Sequence, residues 1–387
     1  MTDPAGTAIG INLLWLLPGR VGGSEEYATR LLDSLAGRLP DDVDVTLFVL
    51  PSFAGAHPRL AERYRTAVAP IGGQSRPLRV ASESTWLAVR SRRRHLGVVH
   101  HMGGTTPLLQ AAPGLVTVHD LQPLLLPHHF GRTKRRWLAR TLPRSVRSSL
   151  RSTGVVVAVS DHTRNDLIRH LDVEPTRIRV VPHGIGSMSP PGPAEVRRVQ
   201  GCYRLGDRWF TYPAVTWPHK NHLMLVKAFA SVAAVDPGVQ LVLTGAPGPA
   251  EAEVAGAIAR HHLDVRVRRT GRIPRPDLDA LIAGSVALVF PSSFEGFGAP
   301  VLEAMALGCP VIAASSAALP EAVGDAGLLV DPDDAEQWAR TMTHLLHDDE
   351  QRRRLASSGS ARAATLGWDR GAAALVDVWR EVLDRRR

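Results

Sequence analysis

The chain has 387 residues, of which 44% are hydrophobic and 21% are charged, a balance typical of a globular protein and not of a disordered one. Its length allows two ordinary domains, each with its own core. The net charge of +9 suggests polyanionic partners such as nucleic acid, anionic lipid or a phosphorylated small molecule. Zinc-finger spacing and an aromatic-rich RNA-binding signature are both missing from the sequence, so no nucleic-acid partner is predicted.

The start of the chain and its two cysteines bear on the compartment. The segment MTDPAGTAIGINLLWLLPGR lacks a basic n-region and a small-residue cleavage site, so we do not expect a signal peptide. No apolar run approaches the roughly 20 residues of a membrane-spanning helix. Cys202 and Cys309 are too few for a disulfide framework or a cysteine metal site, and Cys309, within LGCPVIAA, is predicted to be a core residue. We expect a cytoplasmic protein.

Short β-branched runs alternate with longer helical patterns along the chain. In the first half the predicted strands are GINLLWLL, VDVTLFVL, LGVVHHM, GLVTVHD, VVVAVS and IRVVPH. The second half repeats the pattern with RWFTYPAV, VQLVLTG, VRVRRTG, VALVFP, CPVIAAS and GLLVD. Strands that are apolar on both faces and separated by helices are typical of parallel sheets covered on both sides. The sequence therefore predicts two doubly wound, Rossmann-like α/β domains.

A segment rich in glycine, proline and serine, GIGSMSPPGPAE, separates the two halves. We predict an N-terminal domain over residues 1–186, a linker over 187–198 and a C-terminal domain over 199–366. Residues 367–387 are predicted to form a helix that packs back on the N-terminal domain. Because ligands bind beyond the carboxyl ends of parallel strands, the motifs described next are expected to face one cleft between the domains.

The segment FPSSFEGFGAPVLEAMALG places a glycine-rich turn between a strand and a helix. Its glycines permit a positive φ and a close ligand, and the helix N-terminus favours phosphate. Glu303, about one turn into the helix, would repel a phosphate unless it binds another group, such as the adjacent hydroxyls of a ribose. Alone, it is equally well explained as an acid that favours the helix dipole. Together with Glu295, before the turn, the spacing favours ligand binding.

Two further strand-to-helix turns contain residues suited to phosphate. In TYPAVTWPHKNHLMLVKAFA, Lys220 is a point charge that fits a diphosphate, although an isolated turn lysine is more often simply solvated. In PGRVGGSEEYATRLL, Gly22 and Gly23 open a helix as in a phosphate-cradling turn. The spacing is not G-x-G-x-x-G and the acidic residue of that fingerprint is missing, which disfavours a nicotinamide oxidoreductase.

A fourth strand end carries a histidine. In VTVHDLQPLLLPHHF, His119 and Asp120 follow a predicted strand. A histidine there serves either as a hydrogen-bonding or acid–base group or as a structural turn residue. The chain contains no G-x-S-x-G elbow and no P-loop lysine motif. Neither a serine-nucleophile hydrolase nor a P-loop nucleotide-binding protein is therefore indicated.

In this order the four elements resemble the large retaining glycosyltransferase family 4, whose members have the GT-B fold of two Rossmann-like domains facing a central cleft. Glu295 and Glu303 resemble the family's E-x7-E motif, and HKN at residues 219–221 resembles its (R/H)KN signature. VSDHTRNDLIRHLDVEPTRIRVVPHGI is similar to the end of the family's N-terminal domain, and TWPHKNH to bacterial mannosyl- or rhamnosyltransferases. The resemblance covers essentially the whole chain.

The resemblance implies retaining transfer of a hexosyl group from a nucleoside-diphosphate sugar to a glycan, lipid-linked or small-molecule hydroxyl. Glu295 and His119 would contact the transferred sugar, and Lys220 would neutralise leaving-group charge. The residues implied in donor binding are Gly22, Gly23, Gly245, Arg272, Phe297, Gly298, Ala299 and Glu303. The nucleotide sugar is a substrate, so no cofactor is implied, and without an acidic site of the D-x-D type we expect no metal requirement. We favour GDP-mannose, or a dTDP- or other GDP-sugar, over a UDP-sugar.

Two positions depart from the family pattern. Members often have an arginine about five residues before the lysine, where this chain has Val215. VPHGIG replaces VPNGVD, so Gly186 stands where the family has an aspartate. The phosphate charge would then depend on Lys220 or on an arginine that the sequence does not identify.

Two other classes of function fit part of the pattern. A non-catalytic nucleotide-sugar-binding subunit would keep the fold; the missing arginine favours it, but intact Glu295, Lys220 and His119 argue against it. A glycoside hydrolase would use Glu295 and Glu303 as paired carboxylates, but it leaves the Lys220 turn unexplained. A GT-B phosphorylase would need a lysine context for pyridoxal phosphate, which the sequence does not offer.

The segment GRTKRRWLARTLPRSVRSSLRSTG predicts a helix with two faces, in which Pro143 is a position that favours a kink. Leucine and valine residues form one face, and the arginines of the other are Arg136, Arg140, Arg144, Arg147 and Arg151. A surface helix with solvated arginines explains this pattern. Our second hypothesis is that the basic face, with SRRRH at residues 91–95, binds anionic lipid at ~1 kcal/mol per basic residue. It implies a lipid-linked or otherwise anionic acceptor and peripheral attachment to the inner face of the membrane.

Overall fold

The computed structural model describes residues 8–20, 22–127 and 132–385, with the backbone alone for residues 132–138. The chain forms two units, one comprising Met1–Gly184 together with Trp368–Arg387, and the other comprising Ile185–Gly367. Each unit contains one parallel sheet covered by helices on both faces. In the described part of the chain, no helix is both long and apolar enough to span a bilayer.

The sheet of the first unit has seven strands. They are β1 (Ala8–Asn12), β2 (Asp44–Val49), β3 (Arg65–Val68), β4 (Val98–His101), β5 (Gly114–Val118), β6 (Val156–Ala158) and β7 (Ile178–Val180). Their order across the sheet is β3-β2-β1-β4-β5-β6-β7, so the direction of winding reverses between β1 and β4. The carboxyl ends of these two strands are the expected place for a ligand in such a sheet.

The helices of the first unit pack on both faces of this sheet. They are α1 (Gly23–Leu35), α2 (Ser52–Ala56), α3 (Pro58–Arg63), α4 (Arg76–Ser82), α5 (Ala88–Arg93), α6 (Gln122–Leu125), α7 (Arg132–Ser152) and α8 (Asp161–Leu171). A π-helical turn, Glu83–Leu87, joins α4 to α5. Ile9 and Ile11 of β1 pack in the core that contains α1, while Phe48 of β2 packs in a separate core on the other face.

The second unit has a six-stranded sheet. Its strands are β8 (Arg208–Pro213), β9 (Val239–Thr244), β10 (Val267–Gly271), β11 (Ala287–Phe290), β12 (Val311–Ala314) and β13 (Leu328–Val330). Their order is β10-β9-β8-β11-β12-β13, so winding reverses between β8 and β11. The helices are α9 (Pro193–Cys202), α10 (His222–Val235), α11 (Glu251–Arg260), α12 (Arg275–Ala283), α13 (Ala299–Ala306), α14 (Leu319–Val323), α15 (Ala335–His347) and α16 (Asp349–Ala364).

The last helix, α17 (Trp368–Asp384), belongs to the first unit. Its apolar face is buried in the same core as α1. Trp379 donates a hydrogen bond to His100 at 3.2 Å, and Glu381 pairs with Arg179 at 2.7 Å. A Cβ at Gly371 would lie 2.5 Å from the Pro182 carbonyl, so glycine permits the close approach of this helix. The helix predicted over residues 367–387 therefore packs on the N-terminal sheet.

The twelve predicted strands are all present, and the structure differs from prediction in three places. β3 was missed because RTAV is short, lies at the sheet edge and is partly exposed. β1 ends at Asn12, whose side chain accepts from the Leu14 amide and turns the chain. Within the predicted linker 187–198, α9 begins at Pro193, since proline is well tolerated in a first helical turn.

Candidate active site

Two strand-to-helix turns lie side by side in the second unit, because β8 and β11 are neighbouring strands. One turn contains the 3₁₀ segment Pro218–Lys220, and the other follows Phe290. The backbone carbonyl of His219 accepts hydrogen bonds from the amide and the hydroxyl of Ser293, at 2.8 and 3.1 Å. The HKN and FEGFG motifs, which are far apart in the chain, are therefore held against each other.

Lys220 and Glu295 form a largely buried ion pair at this junction. The Lys220 ammonium lies 2.5 Å from a carboxylate oxygen of Glu295, and the two side chains are 19% and 15% exposed. The same ammonium lies 5.5 Å from the centre of the Phe290 ring, within reach of a cation–π interaction. The Tyr212 hydroxyl donates to the Lys220 carbonyl at 2.6 Å and fixes the turn. A cation and a carboxylate are thus presented together at the end of the sheet.

The turn before α13 depends on Gly298. This residue caps the helix with a φ of 95°, and a Cβ there would lie 2.9 Å from a side-chain carbon of Leu319. Glycine is therefore required by the backbone conformation and by the packing. Phe297 is half-buried, and Ala299 is the first residue of the helix. The amides predicted to contact a diphosphate and a sugar lie at this helix N-terminus, where anions bind favourably.

Glu303 lies in the second turn of α13, beyond the first turn in which the dipole stabilises acids most. Its side chain is buried, and one carboxylate oxygen lies 3.1 Å from Arg275 at the start of α12. Arg275 also pairs with Asp279 at 2.7 Å. An arginine thus compensates the charge of Glu303, which weakens the helix-dipole explanation. Sequence reasoning missed Arg275, since no local pattern marks it and only the packing of α12 against α13 reveals the contact.

A cavity of about 230 Å³ opens at the carboxyl ends of β8, β9 and β10. Gly245 lines it with a φ of 135°, and a Cβ at this position would collide with the neighbouring backbone. Thr216 donates to Glu251 at 2.8 Å, and Glu251 also pairs with Arg269 at 3.2 Å. Arg272, predicted to lie near a nucleoside, is exposed just beyond β10 and is not a lining residue.

His119 directly follows β5 in the first unit. Its Nε2 lies 2.7 Å from the Met102 carbonyl, which can only accept, so Nε2 carries the proton and Nδ1 is an acceptor. Tyr27 contacts the ring edge-on at 5.2 Å. Burial lowers the pKa of His119, although the hydrogen bond to Met102 opposes this shift. The imidazole is therefore neutral near pH 7 and suited to accept a hydrogen bond from a hydroxyl.

Gly22 and Gly23 begin α1, and Gly22 caps the helix with a φ of 65°. A Cβ at either glycine would meet no atom within 4 Å, so the surrounding space is open. Gly22 borders a cavity of about 500 Å³ that is also lined by Glu25 and Glu26. Glu25 pairs there with His57 at 3.1 Å. Since this lining carries carboxylates, the cavity gives no support to the predicted approach of the two glycines to a diphosphate.

A buried polar cluster, which the sequence did not predict, lies at the ends of β1 and β4. The side-chain Nδ2 of Asn12 donates to a carboxylate oxygen of Glu83, in the π-helical turn, at 3.1 Å. The same nitrogen also lies 3.1 Å from Nδ1 of His101. Burial raises the pKa of Glu83 to about 7, against the lowering effects of Asn12 and Arg79. Burial also lowers the pKa of His101 to about 3. The only sequence signal for this cluster was the histidine pair at the end of a predicted strand.

The arginines of α7 do not share one environment. Arg140, Arg147 and Arg151 are exposed, but Arg144 is half-buried and donates to the Pro107 carbonyl at 2.7 Å. The expectation that Arg144 belongs to a solvated basic face is therefore wrong, because it supports a neighbouring loop. The side chain of Arg136 lies outside the described part of the chain. The apolar face is as predicted where it is described, with Leu142, Val146 and neighbouring side chains in a core.

Comparison with known proteins identifies the family. Residues 204–362 match the family described as Glycosyl transferases group 1, and residues 21–186 match Glycosyltransferase Family 4. The O-antigen chain mannosyltransferase B of Escherichia coli is 30% identical over 259 residues, which are 66% of this chain and 67% of that protein. The chain belongs to glycosyltransferase family 4.

Two further proteins to which this family 4 glycosyltransferase is similar are also glycosyltransferases. The MMP alpha-(1->4)-mannosyltransferase of Mycolicibacterium hassiacum is 29% identical over 315 residues, 76% of this chain and 72% of that protein. The D-inositol 3-phosphate glycosyltransferase of Salinispora arenicola is 31% identical over 59% of this chain, and the chain spans about half (55%) of that relative's length.

Solved structures confirm the GT-B fold expected for a family 4 glycosyltransferase. Anabaena Alr3699/HepE in complex with UDP and glucose has a TM-score of 0.74 at 20% identity, covering 96% of this chain and 98% of that one. WaaG, a glycosyltransferase involved in lipopolysaccharide biosynthesis, has a TM-score of 0.71 at 17% identity, covering 96% of this chain and 99% of that one.

Cys309 is buried as predicted, and burial raises the pKa of its thiol to about 11. Within the described residues, no three His, Cys, Asp or Glu side chains are grouped as ligands of one metal ion.

Proposed function

We propose that this glycosyltransferase moves a hexosyl group, with retention of anomeric configuration, from a nucleoside-diphosphate sugar to a hydroxyl acceptor. The single observation that carries the proposal is the contact between Lys220 and Glu295 at the ends of β8 and β11. One cation and one carboxylate side by side can serve two parts of one donor, the phosphate that leaves and the sugar that moves. The acceptor hydroxyl attacks the face from which the nucleoside diphosphate departs and passes its proton to the departing phosphate oxygen.

Lys220 is proposed to stabilise the charge that develops on the leaving phosphate. An ammonium has three N–H donors, so Lys220 can keep one on Glu295 and direct another to a phosphate oxygen. This interaction strengthens as the glycosidic bond breaks, and it is most effective where water is partly excluded. Glu295, oriented by Lys220, is proposed to accept hydrogen bonds from hydroxyls of the transferred sugar.

Glu303 is proposed to bind the ribose hydroxyls, and its pairing with Arg275 removes the difficulty of placing a carboxylate beside a diphosphate. The guanidinium lies 3.1 Å from Glu303 and offsets its negative charge. A carboxylate has about four acceptor sites on its two oxygens, so Glu303 can accept from vicinal hydroxyls in addition to its present partners. The cavity at Gly245 is proposed to receive the nucleoside, with its polar groups at Thr216 and Glu251. The role of Arg272 near the nucleoside stays a prediction.

The donor that we propose is GDP-mannose, with dTDP- and other GDP-sugars as its competitors. The names of two relatives support mannose, since one is an O-antigen chain mannosyltransferase and the other an MMP mannosyltransferase. UDP is bound in the Anabaena structure, whose likeness extends to the fold alone. Since Val215 stands at the position of the family arginine, Lys220 is proposed to carry most of the phosphate compensation.

The proposed acceptor is a hydroxyl of a glycan, a lipid-linked molecule or a small molecule. His119, with Nδ1 as an acceptor, is suited to a hydroxyl of the transferred sugar. The role of Gly22 and Gly23 toward the diphosphate stays a prediction. An anionic membrane surface is proposed as a further partner of the basic α7, where Arg140 and Arg147 are exposed. The proposed place of action is therefore the cytoplasm and the inner face of the membrane.

The alternatives receive less support from the geometry. In a glycoside hydrolase one carboxyl group must be held protonated as the general acid, whereas Glu295 and Glu303 each contact a cation. A non-catalytic subunit would keep a donor pocket but would have no need for the Lys220–Glu295 pair. No contact in the described residues argues for a pyridoxal phosphate enzyme.

A donor panel tests the proposal. The purified protein is incubated with GDP-mannose, dTDP-rhamnose, UDP-glucose and other nucleotide sugars, and the release of nucleoside diphosphate is followed with and without simple glycoside acceptors. We expect release to be fastest with a GDP- or dTDP-sugar, and the anomeric configuration of the product, read by NMR, to equal that of the donor. Tight donor binding without any release would favour the non-catalytic subunit. An inverted product would contradict the retaining mechanism.

A further inference from the structure

The positive charge of this chain is concentrated in one segment. Residues 76–151 contain 14 lysines and arginines but only two acidic residues, Glu83 and Asp120, which gives this segment a net charge of +12. The whole chain carries +9, so the other residues together are slightly acidic, at −3. Glu83 is buried in the polar cluster with Asn12 and is not part of the surface. By its charge, this segment therefore attracts anions more strongly than the rest of the chain.

Two exposed leucines lie in the same segment. Leu108 and Leu109, in the loop between β4 and β5, are 70% and 64% exposed, and Leu108 is the most exposed large hydrophobic residue among those the structure describes. Val89 of α5 and Leu78 of α4 are also more than half exposed. An exposed leucine pair beside a basic surface is an unusual arrangement for a protein that meets only water.

The loop that carries these leucines is fixed from two sides. The Pro107 carbonyl accepts from Arg144 of α7 at 2.7 Å, and Gln110 donates to Ser148 of the same helix at 2.9 Å. On the other side, the Leu108 amide donates to Ser84 of the π-helical turn at 3.3 Å. Side chains and backbone on both sides of the leucine pair are thus tied down, and the exposure of the two leucines is built into the fold.

Exposed arginines lie on both of the helices that adjoin the leucine loop. Arg140 and Arg147 lie one helical turn before and after Arg144, which contacts the loop. Leu109 and Ser91 line the same small cavity, which brings the basic end of α5 to the other side of the loop. None of the exposed Arg90, Arg92, Arg93, Arg140, Arg147 and Arg151 forms an ion pair with a described residue. Water and mobile counterions therefore compensate these charges in the free protein.

We propose that the Leu108–Leu109 loop inserts into the interface of an anionic bilayer, with the arginines of α7 and α5 at the level of the lipid phosphates. Apolar side chains that enter the acyl boundary, flanked by cations that stay in the headgroup layer, are how interfacial segments bind lipid. This inference rests on the proposed function, in which an anionic membrane surface is a partner of α7. It assigns the main contact with the lipid to the Leu108–Leu109 loop and not to the basic face of α7. Arg144 positions the loop, while Arg140 and Arg147 meet the lipid.

A bilayer fits this surface better than the other polyanions. Nucleic acid would be held by the arginines alone and would gain nothing from two projecting aliphatic side chains. A second copy of the chain would bring an equally basic surface and would be repelled unless it bound through another, slightly acidic part. Anionic lipid supplies both a negatively charged plane and an apolar layer beneath it, so it matches the arginines and the leucines together.

Cosedimentation with vesicles tests the proposal. The whole chain is mixed with vesicles of phosphatidylcholine alone or with about a third of phosphatidylglycerol. We expect the wild-type protein to pellet with the anionic vesicles, and the double variant Leu108→Ser/Leu109→Ser to bind at least tenfold more weakly. The matched control, Val235→Ser/Val265→Ser, removes two residues that are 67% and 69% exposed in the second unit, and it should bind as the wild type does. Arg140→Gln/Arg147→Gln should also weaken binding and reduce its dependence on salt.

Three outcomes would overturn the proposal. The first is binding of the leucine variant at the wild-type level, which would leave only an electrostatic attraction. The second is equal pelleting of the wild type with neutral and anionic vesicles. The third is self-association in sedimentation velocity without lipid that the leucine variant abolishes, which would assign the leucines to a second copy. Thermal melting of each variant shows whether it is folded. Titration of the protein with nucleotide sugar in the absence of lipid shows whether the donor site is intact. Failure of the membrane proposal can therefore be distinguished from failure of the proposed function.

Discussion

The two units of this glycosyltransferase differ in the surroundings of their basic side chains. In the second unit two cations near the carboxyl ends of the strands contact carboxylates, in the pairs Lys220–Glu295 and Arg275–Glu303. In the first unit, residues 76–151 carry a net charge of +12, and the exposed Arg140, Arg147 and Arg151 form no ion pair with a described residue. Charges taken out of water need compensation, whereas solvated charges do not. The buried pairs therefore indicate where a bound ligand would interact with charged side chains that already compensate each other. The exposed, unpaired arginines indicate a surface that attracts anions from a distance.

The largest effect is expected from breaking the pair at the junction of β8 and β11. Lys220→Ala should lower kcat about 10²–10³-fold and change the donor KM much less, because leaving-group charge develops in the transition state. Lys227→Ala, an exposed lysine of α10, is the matched control and should keep wild-type rates. Initial rates over a range of donor concentrations measure both constants. A kcat within threefold of the wild type would remove Lys220 from the proposed chemistry.

The second unit was easier to predict from sequence than the first, for a physical reason. The E-x7-E and HKN motifs each lie within one strand, turn and helix, so local signals such as Gly298 and Pro300 place them. Parallel strands that are apolar on both faces then bring the ends of β8 and β11 together without further information. The contact of Lys220 with Glu295 follows from the fold class and two local motifs.

Long-range contacts were not predictable in the same way. Arg275 reaches Glu303 from another helix, and Arg144 reaches the Pro107 carbonyl across a loop. Each depends on the packing of elements whose own sequence patterns are ordinary amphipathic helices. Glu83 is the clearest example, because a glutamate in a helical pattern is expected to be exposed. It is buried and lies in the π-helical turn, which no pattern in the sequence indicated.

Glu83 provides a test within the first unit, since it is a buried carboxylate whose direct partner is an amide and not a cation. Its pKa is raised by burial from 4.5 to about 7. The ionised form therefore costs stability at pH values above 7, by about 3 kcal/mol, and this cost disappears as the pH falls toward 4.5. Glu83→Gln should thus be more stable than the wild type at pH 8, by up to this amount, with the difference shrinking as the pH is lowered.

Urea denaturation at several pH values from 5 to 8 measures this difference. Glu62→Gln, an exposed glutamate of α3, serves as the control and should show a small, constant difference from the wild type. If the free energies of unfolding of Glu83→Gln and wild type differ by the same amount at all pH values, Glu83 does not titrate in this range.

Donor binding should be affected next in order of size. Glu303→Ala should remove the proposed hydrogen bonds to the ribose hydroxyls. Hydrogen bonds to a charged group typically contribute ~1.5–3 kcal/mol, so donor affinity should fall roughly tenfold or more. Arg275→Ala should weaken binding as well, because Glu303 would then repel the diphosphate. Glu336→Ala, an exposed acid of α15, is the control. Isothermal titration with the preferred nucleotide sugar measures these affinities, and an unchanged affinity for Glu303→Ala would contradict the ribose assignment.

The smallest expected effect is that of removing divalent cations. In the proposed mechanism the ammonium of Lys220, held by Glu295, supplies the positive charge that a divalent ion supplies in other glycosyl transfers. A chelator should therefore leave the wild-type rate unchanged, and added magnesium or manganese should not raise it. Lys220→Ala sharpens the test, since neither ion should restore the activity lost with the ammonium when no group of His, Cys, Asp or Glu side chains in the described part of the chain is arranged to hold a metal ion. Loss of wild-type turnover on chelation, restored by magnesium or manganese, would show that the paired charges of the second unit are insufficient and that the metal-independent mechanism is wrong.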